Sequence, residues 1–182
     1  MRVIAGTARS LRLKTPEGMD TRPTTDRIKE TLFNMLQPYL PDAVFLDLYS
    51  GSGGIGIEAL SRGARHSYFV ENNRNAVACI TENLQFTRFT ARATVLRQDV
   101  LSALPGIHEK DVDVIFMDPP YHSTYEQQVL QMLRTLPYVT ENTLIVIEAA
   151  LDSDFSYVKD LGFIVEKEKC YKTNKHVFCR IF

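Results

Sequence analysis

Apolar and polar positions change period along the chain. Beyond residue 42, short apolar runs stand at AVFLDLY (43–49), HSYFVE (66–71), TVLRQ (94–98), VDVIFMD (112–118) and NTLIVIE (142–148). Between them apolar residues recur at helical spacing, over 54–63, from an Asn73 cap to about residue 85, and over about 124–136. The runs predict strands and the spaced stretches helices. Repeated strand–helix units require right-handed crossovers onto a parallel sheet covered on both faces, so the expected class is doubly wound α/β. A short helix near 153–160 precedes two alternating runs, 163–171 and 175–182, joined tightly at Asn174. Strands joined by so few residues are antiparallel, and one of the last two must run against the others. At the other end, residues 2–5 and 10–14 predict a small hairpin around Gly6-Thr7. A helix over about 25–40 follows, with Thr24 or Thr25 as N-cap and Asp26 in its first turn. Its expected apolar stripe is Ile28, Leu32, Met35, Leu36 and Tyr39.

Composition adds exclusions. The 182 residues are 45% hydrophobic and 24% charged, with no low-complexity tract, which excludes a disordered, fibrous or coiled-coil chain. No apolar run approaches the roughly 20 residues of a membrane span, and MRVIAGTARSLRLK has no apolar leader segment, so a cytoplasmic protein without a membrane partner is expected. Three cysteines without C-x-x-C and four scattered histidines give no ligand set, so no metal is expected. Cys170 and Cys179 would face each other if the last hairpin turned at Asn174-Lys175, as a reduced buried pair.

The net charge of −1 hides a segregation. Residues 1–37 carry seven Lys/Arg against four Asp/Glu, residues 38–158 eight against fifteen, and residues 159–182 six against three. Residues 1–14 hold Arg2, Arg9, Arg12 and Lys14 and no acid, interleaved with apolar residues at strand spacing. A polyanion therefore has a basic surface to grip despite the overall balance.

Candidate chemistry lies at the predicted carboxyl ends of the strands. Asp47-Leu-Tyr-Ser-Gly51-Ser-Gly53-Gly54-Ile-Gly56 joins a strand to a helix, where glycines admit a ligand close to the backbone and the helix start offers unpaired N–H groups. Glu71, 20 residues after Gly51, suits ribose hydroxyls, and Asp99 after the third strand suits an adenine amine. The bare spacing also fits a dinucleotide site, so an NAD-linked oxidoreductase competes. Asp47 weighs against it, because a carboxylate there opposes a pyrophosphate and suits a cationic amino group. Little chain remains for a separate substrate domain.

Asp118-Pro119-Pro120-Tyr121 ends the fourth strand on the same edge. Two prolines fix the backbone so that the Asp118 carboxylate and the Pro119 carbonyl aim at one small donor. An exocyclic nucleobase amine is a poor nucleophile because its lone pair is delocalised into the ring. Two acceptors holding its hydrogens localise that pair, and Tyr121 offers a stacking face.

DLYSGSGGIGIEALSRGA (47–64), VEN (70–72), QDV (98–100) and FMDPPY (116–121) resemble the motifs of class I S-adenosylmethionine-dependent amino-methyltransferases. RVIAGTARSLRLKTP and RPTTDRIKETLFNML resemble the bacterial family that methylates a guanine N2 of 16S ribosomal RNA. Tyr49-Ser50 stands where Phe-Ala is usual, and Ile55 and Ile57 where Leu is common. The resemblance implies a Rossmann-like sheet of seven strands with an antiparallel C-terminal hairpin. It also implies an RNA-binding extension over 1–40 and a methyltransferase domain over 41–182. Gly51, Gly53 and adjoining backbone would hold the methionine part of the cofactor, Glu71 its ribose and Asp99 its adenine. Asp47, Tyr49, Ser52, Asn72, Val100 and Asp118 would complete that site. Asp118, Pro119, Pro120 and Tyr121 would hold the amine in line with the methyl group. Arg9, Arg12, Arg22 and Arg27 are expected to contact phosphates, with the first three framing the pocket mouth. The expected partner is 16S ribosomal RNA, free or in an assembling small subunit. Alternatives are adenine-N6 or cytosine-N4 methylation of DNA, disfavoured because no target-recognition insert is visible, and a non-catalytic RNA-binding module.

Overall fold

The computed structural model describes residues 1–16, 26–121 and 124–182. The most apolar runs form the middle of one sheet, where every residue of β1 (Val44–Leu48), β4 (Val114–Met117) and β5 (Leu144–Ala150) is buried. Strands so predominantly apolar, broken here by Asp47 in β1 and Glu148 in β5, belong inside a parallel sheet covered on both faces. With β2 (His66–Val70), β3 (Ala93–Leu96), β6 (Phe163–Cys170) and β7 (Asn174–Ile181), the order is β3-β2-β1-β4-β5-β7-β6. The first five strands are parallel, and β7 runs antiparallel to both β5 and β6. The predicted seven-stranded sheet with its antiparallel end is thus borne out, with β7 inserted ahead of β6. Strand order reverses between β1 and β4, the position at which open α/β sheets bind ligands beyond their carboxyl ends.

The period of two along β1 divides the core. Val44, Leu46 and Leu48 face α4 (Val100–Ala103) and α5 (Tyr125–Leu133). Phe45 faces α1 (Asp26–Leu36), α2 (Gly54–Ser61) and α3 (Arg74–Thr87). Asp47 shares the Phe45 face and is 1% exposed.

Several local expectations change. The helix expected over 25–40 ends at Leu36 and gives way to a 3-10 turn, Gln37–Tyr39, built on Pro38. Its buried face is Lys29, Leu32, Phe33 and Leu36, one position round from the expected stripe, and Tyr39 is exposed. Thr24 and Thr25 lie outside the described residues. The expected helix near 153–160 is a 3-10 turn, Ser156–Lys159, while α4 was unannounced by any periodicity. Asn174 is the first residue of β7 rather than the turn, so Cys170 pairs with Lys175 and Cys179 with Val165. The two cysteines do not face each other; Cys170 is exposed and Cys179 buried.

The N-terminal hairpin closes with one antiparallel bridge, Arg2 to Arg12, and lies along α2. Glu58, fully buried, fastens it. Its Oε2 accepts the Ile4 N–H at 2.8 Å and its Oε1 the Ala5 N–H at 3.0 Å, while Arg62 Nε lies 2.8 Å away and Lys29 Nζ 3.4 Å. Lys29, also fully buried, donates to the Arg2 carbonyl, and burial lowers its pKa against the opposing pull of Glu58. Beyond Glu58, Ser61 donates to the Ala5 carbonyl and accepts the Ala8 N–H. Gly6 passes so close that a Cβ would stand 1.8 Å from the Ser61 carbonyl oxygen.

Candidate active site

Where β1 ends, the chain turns through three residues of positive φ, Tyr49, Gly51 and Gly53. A Cβ on Gly51 would meet nothing within 4 Å, so glycine is set there by φ, and its open side gives onto a cleft. Gly56 is set by space, since a Cβ would lie 2.4 Å from the Phe69 ring. This close approach of α2 to the sheet places the Gly56 N–H 2.8 Å from Asp47 Oδ2. Burial pushes the Asp47 carboxyl well above its usual range, the Gly56 N–H opposes this, and Glu71 and Asp118 add to it.

Glu71 ends β2 with both oxygens engaged. Oε2 accepts the Gly51 N–H and Oε1 the Asn73 N–H, each at 2.9 Å. One carboxylate thereby fixes the glycine loop and the entry to α3, whose first N–H groups are capped by Asn73 as expected. Asp99 caps α4 through the Leu101 N–H at 2.9 Å. Tyr49, Asn72, Asp99 and Val100 border a small recess of about 20 Å³ that shares walls with the main cleft. Burial and then Asp99 push the Tyr49 hydroxyl up to about 12.

The main cleft, about 1250 Å³, spans the carboxyl ends of the strands. It brings together Asp47, Tyr49, Gly51, Ser52, Glu71, Asn72, Asp99 and all four residues of Asp118-Pro119-Pro120-Tyr121. Gly53 lies beneath it and caps α2, and Val100 lines only the recess. Asp118 is exposed to the cleft at its floor; the surrounding walls and, second, Glu148 push its carboxyl up to about 8. Carboxylates crowd this edge, an arrangement that repels a pyrophosphate and complements a cation.

The basic residues divide. Arg27, on α1, lines the cleft, and Arg22 lies outside the described residues. Among the described residues neither Arg9 nor Arg12 lines it, which corrects the expectation that they frame its mouth. The hairpin lies on α2 with its open end at the cleft, where Met1 Sδ is 3.7 Å from Ser52 Oγ and the Lys14 N–H donates to Asn83. Its turn is fastened at Ser61, seven residues or roughly 10 Å along the helix from Gly54. Lysines reach the cleft from the other side: Lys169 and Lys172 line it from β6 and the β6–β7 turn.

Glu148 was missed. It ends the same apolar run that predicted β5, the signal that marked Glu71, Asp99 and Asp118, and it lines the cleft beside Asp118. Tyr171 and Asn174, which line the cleft near Glu148, carry no comparable sequence signal.

Residues 1–179 match the family model described as Conserved hypothetical protein 95. The chain is 40% identical over 171 residues to YlbH of Bacillus subtilis (strain 168), provisionally named an rRNA methyltransferase, covering 93% of this chain and 92% of that one. It is 34% identical over 169 residues to ribosomal RNA small subunit methyltransferase D of Haemophilus influenzae, covering 92% and 88% respectively. The solved structure of Escherichia coli yhhF, provisionally named a methyltransferase, matches with TM-score 0.83 and 29% identity, covering 100% of this chain and 97% of that one. The chain belongs to the Conserved hypothetical protein 95 family and has the Rossmann-like methyltransferase fold of its relatives.

Proposed function

We propose that the protein transfers the methyl group of S-adenosylmethionine to the exocyclic N2 amine of a guanine in 16S ribosomal RNA. The observation that carries this reading is that the acid-lined glycine loop and the Asp118-Pro119-Pro120-Tyr121 turn open into one cleft large enough for a nucleoside cofactor and a flipped base together. The small-subunit rRNA methyltransferase similar to this chain gives the substrate class.

The residues present fit the cofactor. Gly51 offers open backbone, Asp47 and Glu71 a negative wall for a cation, Glu71 acceptors for ribose, and Asp99, where it lines the main cleft, an acceptor for the adenine amine. When bound, S-adenosylmethionine would supply an electrophilic methyl group on a sulfonium, whose S–C bond breaks as the methyl leaves and S-adenosylhomocysteine departs as a neutral thioether. Asp118 and the Pro119 carbonyl accept the two N–H bonds of the guanine amine, localising its lone pair, while Tyr121 stacks on the base. As the new N–C bond forms, the nitrogen becomes acidic and the Asp118 carboxylate takes one proton. Positioning at roughly 3 Å accounts for most of the rate, and no covalent enzyme intermediate is needed. Residues 1–40 serve as the RNA-binding extension, with Arg27 lining the cleft in which the base would react.

Glu71→Ala is expected to weaken S-adenosylmethionine binding by about 1.5–3 kcal/mol, roughly 10- to 150-fold. Because the same carboxylate holds the Gly51 and Asn73 N–H groups, the cofactor-free protein should also melt lower. Calorimetry and thermal melting read the two effects separately; unchanged affinity would remove Glu71 from the site. For RNA, the triple variant Arg27→Ala, Lys169→Ala, Lys172→Ala should flatten the plot of log affinity against log salt by up to about 2 units, roughly 0.7 for each single-strand phosphate contact. Arg9→Ala with Arg12→Ala should flatten it less, since those residues stand off the cleft. The reverse ranking would return phosphate binding to the hairpin turn. Ribosomal RNA from a strain lacking the gene should lose N2-methylguanosine at one site, and an unchanged modification map would refute the proposed reaction.

A further inference from the structure

Glu148 is 7% exposed, ends in the cleft, and is held from three sides. Asn174 Nδ2 donates to its Oε1 at 2.6 Å, and the Tyr121 hydroxyl approaches the same oxygen at 3.5 Å. His176 Nε2 lies 3.2 Å from Oε2, and His176 Nδ1 lies 3.1 Å from the Tyr171 hydroxyl. One imidazole tautomer satisfies both contacts, with Nδ1 accepting from Tyr171 and Nε2–H donating to Glu148, an assignment that follows from the network. Burial and then Glu148 push the Tyr171 hydroxyl up to about 12, keeping it a donor. Asn174 turns its amide nitrogen to Glu148 although its own Oδ1, also buried, then has no partner among the described residues. Three residues of β7 and its turn are thus committed to orienting one carboxylate. A carboxylate has about four acceptor positions, and these contacts leave room for another donor from the cleft.

We propose that Glu148 accepts the N1–H of the target base and thereby selects guanine over the other amine-bearing bases, an inference that rests on the N2-methylation reading above. Asp118 and Glu148 line the same cleft as electrostatic neighbours, and with both ionised they present only acceptors, so the ligand edge that fits them consists of donors alone. Guanine has that edge, with N1–H beside the two hydrogens of N2. Adenine places the N1 lone pair beside N6, and cytosine places the N3 lone pair beside N4. Either would set a lone pair against a buried carboxylate and leave its cleft-facing acceptor position unfilled, which is how a site built to bind N–H groups rejects analogues lacking them. Methyl transfer itself asks only that the amine hydrogens be held, by Asp118 and Pro119. Glu148 is therefore a specificity residue, and bracing of β5 against β7 is the structural alternative.

The test uses the full chain and 16S ribosomal RNA in which the guanine methylated by the wild type is replaced, by ligation of synthetic fragments, with 2-aminopurine or 1-methylguanine. The first keeps the amine at C2 but turns N1 into an acceptor; the second keeps O6 and blocks N1. The wild type should favour guanine RNA over each by about 10²-fold or more in kcat/KM. In Glu148→Gln, whose amide can donate to N1, the preference over 2-aminopurine should fall to about tenfold or less, with S-adenosylmethionine affinity unchanged. Bracing alone would lower all rates together and keep the ratio, and an unchanged ratio overturns the proposal. Equal wild-type rates on guanine and either analogue overturn it without any variant, so a Glu148→Gln chain that fails to fold leaves the question decidable. Wild-type methylation of adenine or cytosine in place of guanine overturns the N2 reading itself, whereas guanine methylation with an unchanged ratio overturns only the role of Glu148.

Discussion

Asp118→Ala is expected to lower methyl transfer by about 10²–10³-fold or more, the usual consequence of removing one preorganised polar group from a reacting centre, while the chain still folds. The side chain ends in the cleft, not in the core, so its loss opens no packed volume. The same carboxyl sets a pH dependence. Its pKa is raised to about 8 by desolvation under the cleft walls and, second, by Glu148, and only its ionised form can take the proton from the amine. In the free enzyme kcat/KM should therefore fall as pH drops below about 8, approaching tenfold per unit. A bound sulfonium favours the carboxylate, so the midpoint of kcat at saturating cofactor should lie lower. Asp118→Asn should remove the step and leave a low, flat profile. Full activity in Asp118→Ala, or a wild-type profile that is flat from about pH 6 to 9, would contradict this role.

The largest stability effect is expected at Glu58→Ala, far from the chemistry. The substitution strips the Ile4 and Ala5 N–H groups, Lys29 and Arg62 of a shared acceptor and leaves a fully buried ammonium with the Arg2 carbonyl and the more distant charge of Asp26 among the described residues. Breaking a buried pair from one side costs about 3–5 kcal/mol, equivalent to roughly 6–20 °C in Tm for a chain of this size. Adding Lys29→Met should recover part of it by removing the stranded charge. Denaturant melts decide the matter, and a loss under about 1 kcal/mol would mean that Glu58 does not anchor the hairpin. Protease nicking near the N-terminus should rise in parallel, because the hairpin depends on this anchor.

The sheet was legible because strands buried on both faces must be largely apolar, as 43–49, 112–118 and 142–148 are, although the first two runs overshoot their strands by a residue or two and the third starts and ends two residues before β5 does. The tight last turn announced the antiparallel strand, but its insertion between β5 and β6 depends on pairing remote in sequence. That insertion brings His176, Asn174 and Tyr171 to Glu148, which is why a carboxylate visible at a strand end could not be read as part of an oriented cluster. Lys29 and Glu58 look like solvated helix charges, and only the hairpin laid over both buries them. The glycine loop and its acids were readable from spacing because local backbone demands fix them: positive φ at Gly51 and Gly53, and close helix–sheet packing at Gly56. The basic run at residues 1–14 was equally visible, but which end of it meets the cleft depends on how the hairpin docks on α2, and spacing carries no information about that.

The most direct measurement is transfer of a labelled methyl group from S-adenosylmethionine to unmodified 16S ribosomal RNA, offered free and in small subunits, followed by digestion to nucleosides. Label is predicted in N2-methylguanosine with the wild type and at a rate at least about 10²-fold lower with Asp118→Ala; label in methylated adenosine or cytidine, or none with the wild type on either substrate, would contradict the proposed reaction.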